Sequence, residues 1–312
     1  MSHSASQTKP RVVVGMDAGG TKLAVQVETL EGRHCGFAEF AAAGWEASPA
    51  AAAASWLDHH LRRAVPPGAE VVSVGIGAQG CNTPETSAAI ERALAARGLA
   101  ATVVNDGALL VPAAGFEAGI GIIAGTGSVG IGTDASGTVI RAGGWGWALG
   151  DEGGAAAIVR EATRAALLAR DSGMPDDGLL AALQQSYGVS TAEQLARAVN
   201  DEPTVANWAP RAPVVFAAAD GGSALAIDVI TSAAQALTAL VSRLIGRGAA
   251  GQAVVAAGSV ITRQPRLAEA FAEALGDRHP QMEFCLLGKP PVTGAIILAR
   301  RMLASRQVGS GA

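Results

Sequence analysis

Arg11-Val-Val-Val-Gly-Met16 runs straight into Asp17-Ala-Gly-Gly-Thr-Lys22 and on into Leu23-Ala-Val-Gln-Val27. Two short apolar runs rich in β-branched residues, joined by a glycine pair, read as neighbouring strands with a tight reversal between them. Glu31-Gly32 turns the chain again into a third run over 34–40. The spacing that follows predicts a helix over 48–65, with Ser48-Pro49 as cap and first-turn proline. A buried strand over 70–77, a helix over 84–97 and a strand over 101–105 complete the series. Strands that begin as a meander and then alternate with helices imply a mixed sheet covered by helices on its faces.

The pattern restarts further on. Strands are predicted over 120–124, 129–133 and 138–142, the first two joined by Gly125-Thr-Gly-Ser128. Helices follow over 154–170, 177–187, 191–199, 205–219 and 223–247. A strand over 252–257, a helix over 265–275, a strand over 282–286 and a closing helix over 292–304 end the series. Two units, each opening with a Gly/Thr turn between adjacent strands, suggest an internal structural duplication. The expected division is one lobe over 10–115 and a second over 116–290 with a helical insertion. The helix over 291–304 is expected to pack back on the first lobe.

Composition removes several classes. The 312 residues are 49% hydrophobic and only 16% charged, with a formal net charge of −4. Nucleic-acid binding needs a clustered basic surface, which this balance argues against. The positive mean hydropathy comes from alanine-rich stretches, and no run approaches the ~20 uninterrupted apolar residues of a membrane span. Residues 1–10 are polar and lack the apolar centre of a secretory signal. Cys35, Cys81 and Cys285 are far apart and form no CxxC pair, a poor basis for a disulfide framework or a zinc site. A reducing, cytoplasmic setting is the expectation.

Several short motifs can carry chemistry. The 17–22 turn can bring backbone N–H groups of Gly19 and Gly20 close to a phosphate, with Thr21 adding a hydroxyl and Lys22 a cation. Asp17, at the strand end, can hold Mg²⁺ through water. The competing reading is a plain hairpin turn, and the turn feeds a strand rather than the helix of a P-loop. Gly125, Thr126, Gly127 and Ser128 form a second such turn, which could equally be a flexible hairpin. Asp106, in Asn105-Asp106-Gly107, ends a strand and can act as a general base on a sugar hydroxyl or simply cap a helix. Gly143-Gly-Trp-Gly-Trp-Ala-Leu-Gly-Asp-Glu-Gly-Gly154 can present amides, an aromatic wall and Asp151 to a sugar; alternatively its tryptophans plug the core. Gly258-Ser259 could let a nucleotide lie against backbone.

Taken in this order, 17–22, Asp106, 125–128, Gly144-Trp145-Gly146, Gly150-Asp-Glu-Gly153 and Gly258-Ser-Val260 resemble the BadF/BadG/BcrA/BcrD-type ATPase family. The branch they most resemble is the N-acetylglucosamine and glucosamine kinases. The likeness covers about residues 12–300. It implies an α/β fold of two RNase H-like lobes, of the actin/hexokinase-like ATPase type, with ATP, Mg²⁺ and an amino sugar in a central cleft. The implied activity is an ATP-dependent hexosamine kinase acting at O6, and the expected assembly is a homodimer. By resemblance, phosphate contacts fall on Thr21, beside Gly19 and Gly20, and on Thr126, and the catalytic base on Asp106. Sugar contacts fall on Ser128, Val129, Gly144, Trp145, Gly146 and Asp151, and nucleotide contacts on Gly221, Gly258 and Ser259. Glu46 stands where kinases of this kind usually carry a sugar-touching asparagine, which places the identity of the sugar in question. ROK-type sugar kinases share the first turn, but their cysteine-rich zinc motif and Glu-x-Gly-His segment are not visible. A dehydratase-activating ATPase would need cysteines that the chain does not offer. The remaining alternative is a non-catalytic sugar- or nucleotide-sensing protein on the same fold.

Overall fold

A computed structural model describes residues 9–309, with side chains to residue 306. The chain divides into two compact units. The first takes residues up to Ala118, the short segment Gly137–Val139 and residues from Gly288 onward; the second takes Gly119–Ser136 and Ile140–Leu287.

Unit one holds β1 (Arg11–Ala18), β2 (Lys22–Thr29), β3 (His34–Ala41), α1 (Ala50–Ala64), β4 (Glu70–Ala78), α2 (Pro84–Ala95), β5 (Ala101–Val104) and the short α3 (Leu110–Ala113). Its sheet order is β3-β2-β1-β4-β5. The first three strands pair antiparallel as a meander, and β1, β4 and β5 run parallel. Met16, Leu23, Leu57, Ile76, Ile90 and Leu94 pack one face of the sheet against α1 and α2. Each such fully buried aliphatic side chain contributes roughly 1.5–3 kcal/mol.

The C-terminal helix, Val292–Gly309, covers the other face through Ile296 and Ala299 on Val13. A Cβ at Gly75 of β4 would lie 2.0 Å from the Ala295 carbonyl oxygen, so the helix backbone rests directly on the strand. The buried Ser73 hydroxyl donates to the Ala299 carbonyl at 2.6 Å, and Arg300 pairs with Glu28 at 2.8 Å.

Unit two holds β6 (Gly119–Ala124), β7 (Ser128–Thr133), β8 (Val139–Gly143), α4 (Ala155–Asp171), α5 (Leu179–Tyr187), α6 (Ala192–Asn200), α7 (Val205–Trp208), α8 (Ala212–Asp220), α9 (Ala224–Gly246), β9 (Ala253–Ala257), α10 (Ser259–Arg263), α11 (Pro265–Arg278) and β10 (Glu283–Leu286). The sheet order β10-β9-β6-β7-β8 repeats that of unit one strand for strand, read from the opposite edge. Each unit is thus a mixed five-stranded sheet with helices, as the two-lobed α/β expectation requires.

Two sequence expectations need correction. Ser48 makes no side-chain cap to α1: the Ser48-Pro49 peptide is cis, and Pro49 sits at the cap position rather than in the first turn. The single helix expected over 205–219 is interrupted by a 3₁₀ turn at Ala209–Arg211. Pro210 and Pro213 lie in its path, and neither can supply the N–H that a continuous helix needs. Polar and charged residues interrupt α9, though it is long and apolar enough to cross a membrane by length and composition. In this fold Val229, Ile230, Ala233, Leu237, Val241 and Leu244 turn one side of it into the core of unit two.

Candidate functional site

In unit one the strand ends gather the charged groups. The 17–22 turn is closed by the Gly19 N–H, which donates to the Lys22 carbonyl at 3.0 Å, while the Thr21 carbonyl accepts from Ala42 N–H at 3.1 Å. The Gly19 amide is thus committed to the turn itself, and Thr21 stands exposed at its tip. Lys22 reaches across to β3 and makes an exposed ion pair with Glu39 at 2.6 Å. Its ammonium, expected as a phosphate cation, sits in this exposed pair at the surface.

Asp17 is largely buried, and its carboxyl is pushed up to about 6. Desolvation is the main cause, the neighbouring negative charge of Asp106 adds to it, and Lys22 opposes both. The two carboxylates therefore lie within electrostatic reach of each other. Asp106 opens a 3₁₀ turn, Asp106–Leu109, at the end of β5. Its alternative role as a cap is taken by Asn105, whose Oδ1 accepts from Gly107 N–H at 3.0 Å. Cys81, buried nearby, has its thiol pushed up to about 11 by burial and by the Asp106 charge.

The Asp17/Asp106 pair has the chemistry of a Mg²⁺ neighbourhood: hard oxygen donors whose mutual repulsion a divalent cation would relieve. No cluster of three or more His, Cys, Asp or Glu side chains exists among the described residues. A cation here would keep waters or phosphate oxygens as its remaining ligands.

Glu46 lies exposed on the loop leaving β3. Its neighbour Trp45 is fixed, donating from Nε1 to the Gln79 carbonyl at 3.1 Å and packing on Trp56 with ring centroids 5.3 Å apart. The loop is anchored by the tryptophan and presents the glutamate.

In unit two the second turn is built into the start of α4. Gly125 N–H closes it on the Gly127 carbonyl at 2.9 Å, and Ala155 N–H donates to the Gly125 carbonyl at 2.8 Å. Thr126 is exposed at the tip, as Thr21 is in unit one. Ser128 is buried, and its hydroxyl donates to the Glu152 carbonyl at 2.7 Å. Asp151 has φ 62°, a left-handed conformation that aspartate tolerates better than most residues. Its Oδ1 accepts from Gly146 N–H at 3.2 Å, while Oδ2 lies 2.1 Å from where a Cβ at Gly127 would be. Asp151 thus holds the Gly-Trp-Gly loop by a hydrogen bond and packs against Gly127 of the second turn, where a methyl group would displace its carboxylate.

The two tryptophans of that loop separate. Trp145 is 76% exposed, whereas Trp147 packs edge-on against the buried Trp208 at 4.8 Å. The aromatic-wall reading fits the first and the core-plug reading fits the second. Trp145, Ser128 and Asp151 line a cavity of about 770 Å³ together with Arg141, Arg243 and Arg247. Arg141 lies on β8 and Arg243 and Arg247 at the C-terminal end of α9, about a hundred residues further on, so no local motif announces that they meet. Val129, Gly144 and Gly146 do not line this cavity.

A second cavity of about 410 Å³ brings Thr126 and Ser259 together with Val205, Pro213, Phe216 and Arg263. Gly258, with φ 106°, sits against the Ala124 backbone and so joins the late turn to the 125–128 turn. Gly221, expected on the nucleotide side, ends α8 and is not part of this lining. The apolar wall comes from α7, α8 and the break between them, which carried no sequence signal beyond its prolines.

Comparison with known proteins gives the following. Residues 14–297 match the BadF/BadG/BcrA/BcrD ATPase family. An N-acetyl-D-glucosamine kinase of Dictyostelium discoideum is 28% identical over 188 residues, 58% of this chain and 59% of that protein. The chain thus spans under two thirds of that relative. An N-acetylmuramic acid/N-acetylglucosamine kinase of Clostridium acetobutylicum is 27% identical over 239 residues, 74% of this chain and 78% of that protein. A provisionally named N-acetylglucosamine kinase from Chromobacterium violaceum shares the fold, with a TM-score of 0.65 at 24% identity over 94% of this chain and 100% of that one.

Proposed function

The chain belongs to the BadF/BadG/BcrA/BcrD ATPase family, and on that footing we propose that it is an ATP-dependent kinase phosphorylating an amino sugar, glucosamine or N-acetylglucosamine, at O6. The observation that carries the reading is the coupled pair Asp17 and Asp106 beside the 17–22 turn. Such a pair gives one carboxylate for a metal and one for proton transfer.

Asp106 takes the proton from the sugar hydroxyl as that oxygen attacks the γ-phosphorus. Asn105, not Asp106, caps the turn that Asp106 opens. Thr21 and Thr126, each exposed on a turn closed beneath it, hold phosphate oxygens through their hydroxyls. Asp17 would hold Mg²⁺ through water, and the cation would neutralise phosphate charge during transfer. Phe216 and Pro213 supply apolar walls for the nucleotide base, with Ser259 and Arg263 at the same cavity. Trp145 offers a face to the sugar ring, and Asp151 accepts its hydroxyls.

The test is ADP release with Mg²⁺-ATP over a panel of glucosamine, N-acetylglucosamine, N-acetylmannosamine, N-acetylmuramic acid and glucose. Turnover highest with glucosamine or N-acetylglucosamine supports the reading. Sugar binding without turnover would replace it with a sensing role.

A further inference from the structure

Loop 79–82, which leaves β4, plays no part in the scheme above, yet its two ends touch both functional elements of unit one. At one end, Gln79 N–H donates to the Ala18 carbonyl at 2.8 Å. Its side-chain Oε1 lies 2.6 Å from where a Cβ at Gly20 would be, directly beside the 17–22 turn. At the other end, Asn82 Oδ1 accepts from Asn105 Nδ2 at 2.9 Å. Asn105 is 6% exposed, and its own Oδ1 accepts the Gly107 N–H at 3.0 Å. The loop between is stiff: Cys81 N–H donates to the Ala78 carbonyl at 3.2 Å, Asn82 N–H to the Gly80 carbonyl at 2.9 Å, and Cys81 is buried.

We propose that Asn82 is a positioning residue for Asp106, acting through Asn105. The physical argument runs along the hydrogen bonds. The Asn105 amide has two ends. Its oxygen fixes the first turn after β5, in which Asp106 is the leading residue, and its nitrogen needs an acceptor because the group is buried. Asn82 is that acceptor. Without it the Asn105 amide rotates to find another partner, and the Gly107 N–H loses its fixed oxygen. Asp106 then shifts relative to the 17–22 turn, which Gln79 continues to hold. A displacement near 1 Å at a catalytic group costs on the order of 10²-fold in rate. The plainer view is that Asn82 merely closes a loop. Its loss would then lower stability and leave the turnover of the folded protein alone.

This inference rests on the kinase reading, and the experiment separates the two. Steady-state kinetics of the full chain are measured with Mg²⁺-ATP and its best sugar for wild type, Asn82→Ala and Asn82→Asp, each with its thermal midpoint. In Asn82→Ala, kcat is expected to fall roughly 10- to 100-fold with KM for ATP and sugar little changed. Asn82→Asp keeps an oxygen acceptor at the same place and should recover most of the lost kcat. An Asn82→Ala protein with wild-type kcat overturns the inference, as does an aspartate variant no better than alanine. A wild type that transfers phosphate to no sugar overturns the kinase reading, and this inference with it.

Discussion

Asp17 and Glu46 show how single carboxylates differ when one is buried and the other is not. Burial and the Asp106 charge raise Asp17 from 3.8 to about 6. Below pH 3.8 it is protonated in folded and unfolded chains alike and carries no penalty. Between those two values the unfolded chain ionises first, so stability falls as pH rises, and the whole penalty is present above about pH 6. That shift corresponds to about 3 kcal/mol. Asp17→Asn should therefore stabilise the metal-free protein by up to that amount at pH 8 and by much less at pH 4.5. Urea unfolding at the two pH values measures it, and an equal effect at both would contradict the assigned burial. Glu46, exposed on a loop pinned by Trp45, is suited to attract the ammonium of glucosamine and has nothing equivalent for an acetamide. Glu46→Gln should lower the glucosamine to N-acetylglucosamine ratio of kcat/KM by roughly 5- to 150-fold, the span of ~1–3 kcal/mol for a charge-assisted contact. An unchanged ratio would make Glu46 a solvated loop residue.

At the scale of elements, the 125–128 turn and the Gly-Trp-Gly loop act as one piece because Asp151 joins them. Gly127→Ala would drive a methyl into the Asp151 carboxylate, 2.1 Å away. It should release the Gly146 contact and raise the sugar KM by an order of magnitude or more. The accompanying loss of stability should be ~1–3 kcal/mol, typical of overpacking. Sugar KM together with a denaturation curve reads both, and a wild-type KM would mean that the Asp151 contact does not shape the sugar site. The same elements show where sequence reading succeeds. Runs such as Val12-Val-Val and Ile120-Gly-Ile-Ile announce buried strands, and Gly-Gly or Gly-Thr-Gly announces the reversals between them. It fails where long-range partners decide. Ser48 looked like a cap by type, but the cap position falls on Pro49. Lys22, a phosphate cation by its motif, also meets Glu39 of β3 at 2.6 Å, a partner that no local motif announces. Asp106 reads from the sequence as either base or cap, and the structure gives the capping bond from Gly107 N–H to Asn105.

For the molecule as a whole, the repeated strand order makes the two Gly/Thr turns equivalent positions in two copies of one design. Each joins the first two strands of its sheet, and each bears an exposed threonine at its tip. The duplication was legible from the restart of the strand pattern alone. The cavity walls were not, because Phe216, Pro213 and Arg263 come from helices whose mutual packing no local motif encodes. The central claim is that this fold transfers phosphate to a sugar with Asp106 as the base. Its most direct test is the rate of sugar phosphate formation by wild type and Asp106→Asn, followed beside ATP binding by calorimetry. The account predicts a loss of about 10²- to 10⁴-fold in kcat with ATP affinity retained. Wild-type turnover in Asp106→Asn would contradict it.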